Sequence, residues 1–129
     1  MKKIINSPKA PAAIGPYSQA VGVNGLLFVS GQLPVNPQTG EMPEGIEAQT
    51  RQSLDNLVAI LEEAGLSAAD VVKTTVLLSD IANFAAMNAV YAEYFPSEAP
   101  ARACYQVAAL PKGAMVEIEA VAGLPAEKA

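Results

Sequence analysis

The chain contains no histidine and no tryptophan, and its one cysteine is Cys104. A protease-type cysteine nucleophile needs a base, usually histidine, so that chemistry is excluded. A lone thiol forms no internal disulfide, which points to a reducing compartment rather than export. A zinc site would have to be built from carboxylates, a set that zinc rarely accepts. Cys104 therefore reads first as a small buried hydrophobe.

Charge is also scarce. Charged residues make up 16% of the chain, with 8 Lys and Arg against 13 Asp and Glu, for a net charge of -5. No basic run exists, which argues against a nucleic-acid partner. No apolar stretch approaches the roughly 20 residues of a membrane span. The opening MKKIINSPKAP has positive charge but no apolar h-region, so it is not read as a signal peptide. These absences predict a soluble cytoplasmic protein.

What is present is apolar. Hydrophobic residues make up 51% of the 129 residues, a length that suits one domain spanning 1–129. So little charge leaves apolar surface for a partner, and a second copy is the simplest one.

Residues 7–16 are rich in Pro and Ala and read as an extended loop. Tyr17–Val23 and Leu26–Ser30 read as strands joined by Asn24-Gly25, a type I′ turn pair. Residues 34–45 read as a loop. Leu54, Leu57, Val58, Leu61 and Ala64 recur at helical spacing, predicting a helix over Ile46–Ala64 that stops at Gly65. Ser67 to Asp70 resembles a capping box. Val71–Ser79 is β-branched and reads as a strand. Asp80 is an N-cap candidate for a second helix over Ile81–Phe95. Ala101–Val107 and Met115–Ala122 alternate like two more strands. The order predicts an α+β fold, with two helices on one face of a mixed sheet and the other face bare.

Arg102 is one of two arginines and lies inside a β-like apolar strand. An unpaired buried charge is very costly, so it must meet an anion or keep its head in water. Period-two geometry puts Arg102, Cys104 and Gln106 on one strand face, and Glu117 and Glu119 on one face of theirs. If these strands form a hairpin, Arg102 and a carboxylate approach one cleft. Two readings stay open: a structural ion pair with Glu117 or Glu119, or a clamp for a ligand carboxylate. Tyr17 follows Gly15-Pro16, which can hold its ring at a loop-to-strand corner. Asn88 lies on an apolar helical face beside Phe84 and Tyr91, where its amide must either brace backbone or reach a ligand.

The segment PARACYQVAALPKGAMVEIE closely resembles the signature of the RidA/YjgF family, with Glu117 fifteen residues after Arg102. IGPYSQA (14–20), FVSGQLPVNPQTGE (28–41) and MNAVYAEYF (87–95) resemble its other blocks. The likeness runs from about Lys3 to Ala122. It implies a chorismate-mutase-like α+β fold, assembled as a homotrimer around a barrel-like core with clefts between subunits. It also implies hydrolysis of enamine and imine intermediates, such as 2-iminopropanoate and 2-iminobutanoate, to 2-keto acids and ammonia. Pyridoxal-phosphate dehydratases release those intermediates, while the deaminase itself needs no cofactor or metal.

By the same likeness, Arg102 corresponds to the substrate-carboxylate arginine. Glu117 corresponds to the glutamate that positions water and assists proton transfer. Cys104 lines the site through its backbone, and Tyr17, Ser30, Gly31 and Asn88 line the cleft. Tyr105 departs from the pattern, being bulkier than the aliphatic residue expected there. Two other functions are weighed beside this one: a keto-acid-binding regulatory module without turnover, and a ribonuclease or translation inhibitor.

Overall fold

The computed structural model describes residues 1–124. Asn24 and Gly25 both take positive φ, 50° and 78°, as a two-residue I′ turn demands. Strand β2 (Ala20–Val23) therefore folds back on β3 (Leu26–Gln32), with Val23 opposite Leu26. A short strand that the pattern did not predict, β1 (Lys3–Ile5), pairs with the outer side of β2. Strand β2 begins three residues later than expected, so Tyr17 lies in the loop before it.

Helix α1 (Ile46–Glu63) buries Leu54, Leu57 and Leu61 completely, as its spacing predicts; Ile60, outside the predicted stripe, is buried with them, while Val58 and Ala64 are only partly buried. The Ser67–Asp70 capping box is present and closes a 3₁₀ turn. Strand β4 (Val71–Leu78) follows. Asp80 caps a 3₁₀ turn at Ile81–Asn83, accepting from Ala82 N at 2.9 Å, before α2 (Phe84–Tyr94). The expected single helix is thus two pieces, and Ile81 is exposed rather than core. Strands β5 (Ala101–Gln106) and β6 (Val116–Gly123) complete the chain as described.

All six strands form one mixed sheet in the order β1-β2-β3-β6-β4-β5. The expected hairpin of β5 and β6 does not exist, because β4 lies between them. The β4–α2–β5 segment is a helical crossover, so β5 runs parallel to β4. Apolar β6 takes a central place with alternate residues fully buried, while the more polar β5 goes to the edge, where charge protects an open strand.

The core lies between the helices and one face of the sheet. Leu27, Val76, Leu78, Val116, Ile118 and Ala122 point into it and are fully buried. The opposite face carries the row Ile4, Val21, Phe28 and Val121, which are cross-strand partners. Phe28 remains 44% exposed and Ile4 45%, so no helix of the described residues covers this face, and its β1–β2–β3 end is apolar.

Candidate functional site

Successive residues of a strand point to opposite faces, and cross-strand partners share a face. Arg102 lies opposite Thr74, and Thr74 opposite Ala120, so Arg102 points to the helix side. Glu117 lies opposite Leu77, and Leu77 opposite Tyr105, which puts Glu117 on the bare side. The two residues therefore occupy opposite faces of one sheet. The ion-pair reading fails on this geometry. Among the described residues the one salt bridge joins Arg51 to Glu93, at 2.8 Å.

On the helix side, Arg102 Nη1 donates to Asn88 Oδ1 at 2.7 Å. Its guanidinium carbon lies 4.7 Å from the Tyr91 ring centroid and 5.5 Å from that of Phe84, within cation–π range. Tyr91 is fixed in turn by a 2.6 Å bond between its hydroxyl and the buried hydroxyl of Thr74. Arg102 is thus oriented by an amide and two rings, none of which neutralises it. Cys104, two residues along, is half-buried on the same face. Burial pushes its thiol pKa up, and the Arg102 charge opposes this only in part. A protonated thiol is a poor nucleophile. Removing the Tyr91 hydroxyl leaves Thr74 without that partner. Tyr91→Phe is therefore expected to cost about 1–3 kcal/mol of unfolding free energy, measured by urea titration.

On the bare side, Glu117 stands in a cleft of about 700 Å³ shared with Tyr17, Ser30, Gly31 and Lys112. Strand β3 bulges here: Val29 faces Ala120 and Gln32 faces Ile118, so Ser30 and Gly31 together oppose Glu119. A side chain at 31 would displace the Glu117 carboxyl. A Cβ there would run into Glu117 Oε2 and lie 2.9 Å from its Cδ. Ser30 is held by its hydroxyl, which donates to Ser18 O at 2.6 Å. Tyr17 is set by a tight turn in which its N–H donates to Gly15 O at 2.9 Å. The Glu117 carboxyl accepts no hydrogen bond from the described residues, and its pKa is raised by burial and then by the like charge of Glu119.

The seven expected site residues thus form two groups. Arg102, Asn88 and Cys104 cluster on the helix side, and Glu117, Tyr17, Ser30 and Gly31 on the other. The aromatic seat of Arg102 was not anticipated. Its signal was present, because Phe84 and Tyr91 flank Asn88 at helical spacing. Among the described residues, no group of three His, Cys, Asp or Glu side chains lies close enough to hold a metal ion. No helix among them is long and apolar enough to cross a membrane.

A six-stranded mixed sheet with two helices on one face and a half-buried glutamate on the other is a fold shared with solved proteins. A crystal structure of E. coli TdcF with bound serine superposes with a TM-score of 0.91 at 48% identity, covering 95% of this chain and 99% of that one. Residues 7–124 match the family described as Endoribonuclease L-PSP. A RutC family protein of Haemophilus influenzae is 56% identical over 95% of this chain and 97% of its own length. The 2-iminobutanoate/2-iminopropanoate deaminase of Escherichia coli K12 is 52% identical over 95% of this chain and 98% of its own. The chain belongs to this family, the RidA/YjgF family whose blocks it carries.

Proposed function

We propose that the chain is a 2-imino acid deaminase, a hydrolase that converts 2-iminopropanoate and 2-iminobutanoate to 2-keto acids and ammonia. One observation supports it above the others: Arg102 is pre-oriented by Asn88 and two rings and pairs with no carboxylate among the described residues. Such a guanidinium is suited to an incoming carboxylate, which it binds through paired N–H···O bonds. Glu117 is the complementary group, a carboxyl in an open cleft that accepts no hydrogen bond from the described residues.

In this reading Arg102 holds the substrate carboxylate while Glu117 holds a water. The imine nitrogen is protonated, and as the water oxygen bonds to its carbon Glu117 takes one water proton. The C=N bond becomes a single bond, giving a neutral carbinolamine. Glu117 returns the proton to nitrogen, then takes the carbinolamine O–H proton as C=O forms and the C–N bond breaks; ammonia leaves with the bonding pair and carries that proton away as ammonium. Water enters and keto acid and ammonium leave, with no change in oxidation state. Tyr17, Ser30, Gly31, Asn88 and the Cys104 backbone shape the pocket around these two groups.

The reading includes a homotrimer with sites between subunits. Arg102 and Glu117 face opposite ways in one chain, so a site containing both draws them from two copies. The bare face around Phe28 supplies apolar surface for that contact. A cytoplasmic setting belongs to the same reading. The family description names RNA cleavage, but a net charge of -5 and the lack of histidine weigh against RNA as substrate.

The test is a coupled assay in which a dehydratase supplies 2-aminoacrylate and pyruvate is followed. The chain is expected to accelerate pyruvate release. Tight pyruvate binding with no acceleration would make it a carboxylate-binding module instead. Gly31→Ala is expected to lower turnover by about tenfold or more, because it displaces the Glu117 carboxyl. Far-UV circular dichroism should stay unchanged, since the flexible end of a side chain is what must move.

A further inference from the structure

The segment 7–16 supplies Pro11, Ala12 and Ile14 to the wall of the Glu117 cleft. It is Pro- and Ala-rich and contains no strand or helix. Ala10 packs into the core, and the hydrogen bonds that tie the segment down come from one buried side chain, Gln19, which is 3% exposed. Gln19 Oε1 accepts the Ser7 N–H at 2.6 Å. Its Nε2 donates to Pro11 O at 2.8 Å and to Ser7 O at 3.1 Å, with Ala10 O a longer third contact at 3.4 Å. An amide nitrogen has two protons, so both are spent on this segment. Among the described residues no other hydrogen bond joins 7–16 to the sheet.

The backbone of the same stretch grips the opposite side of the cleft. Gln19 O accepts the Ser30 N–H at 2.9 Å, and Ser18 O accepts the Ser30 hydroxyl. Ser30 is half of the bulge whose other half, Gly31, lies against Glu117. One residue thus ties the wall of the cleft to the strand on which its floor is built.

We propose that Gln19 is a positioning residue of the deaminase site, fixing the distance between the 7–16 wall and the Glu117 floor. The proposal rests on the deaminase reading for its kinetic consequence but not for its structural one. Gln19→Glu keeps the acceptor for Ser7 and, when ionised, turns a carboxylate toward three carbonyls. Gln19→Met keeps the length and loses every bond.

Both variants are compared with the parent chain by steady-state kinetics and by backbone hydrogen exchange over 7–16. Positioning predicts a rise in KM and a fall in kcat/KM of about ten- to a hundredfold, with faster exchange confined to that segment. It also predicts that Gln19→Glu, relative to the parent, recovers as pH falls and the protonated acid regains a donor, while Gln19→Met does not. A structural role alone would lower the folded concentration and Vmax together and leave KM unchanged, which overturns the proposal. So would parental exchange rates over 7–16 in both variants. If Gln19→Met does not fold, Gln19→Glu carries the test. A parent chain that produces no keto acid would sink the deaminase reading, and the exchange data would still decide whether Gln19 holds the wall.

Discussion

Chains carrying Arg102→Ala and chains carrying Glu117→Gln, each expected to be severely impaired alone, are expected to regain activity when unfolded together and refolded as a mixture. Each intact site then takes its arginine from one variant and its glutamate from the other. In a head-to-tail ring with random mixing, about a quarter of the sites are intact. The expectation follows from the sheet register, which places the two side chains on opposite faces of one chain. Alone, Arg102→Ala should cost about 2–5 kcal/mol of substrate binding, the range for unpairing a desolvated charge pair. The readout is pyruvate release by the mixture against each parent variant. Mixed oligomers confirmed by native mass spectrometry, yet silent in the assay, would show that each chain builds its site alone.

Glu117→Gln should lose turnover and gain stability. Removing an acid–base group costs about 10²–10⁴-fold in rate, whereas the folded chain is relieved of a carboxylate it solvates poorly. Burial first, and Glu119 second, raise the Glu117 pKa above its ordinary value. The folded chain therefore holds this proton more tightly than the unfolded chain does. That contribution is fully present below the unfolded pKa and is lost as pH rises through the folded one. Glutamine never ionises, so the variant should melt above the parent at about pH 8, and the gap should close toward about pH 4. Equal melting temperatures at both ends would remove burial as the cause of the shift. A loss of activity with a gain in stability is what a residue kept for chemistry shows.

Most local signals in the chain were reliable, although they missed β1 and the break before α2, and long-range ones were not. The Asn24-Gly25 turn, the α1 stripe and the Ser67–Asp70 capping box depend on neighbours within a turn or two, and each formed as its residues predict. The partner of β5 depends on where α2 returns the chain, which no local pattern states. Alternation correctly put Arg102, Cys104 and Gln106 on one face, and Glu117 and Glu119 on another. It could not say that these faces are opposite, because that needs the register of the intervening β4. Gly31 was picked out by resemblance alone; its physical reason, the Glu117 carboxyl lying against it, appears only in three dimensions. Gln19 falls inside the predicted strand Tyr17–Val23, although a long amide among small apolar residues has hydrogen bonds to place.

The opposed placement of Arg102 and Glu117 also bears on how the activity responds to dilution. If the site is shared between copies as proposed, it exists only while the copies are associated, and the specific activity of the protein is then governed by mass action. Below the concentration at which copies part, every chain can remain folded while none retains a complete site. Dividing a preparation would then reduce its output by more than the dilution factor, and concentrating it again would restore what was lost.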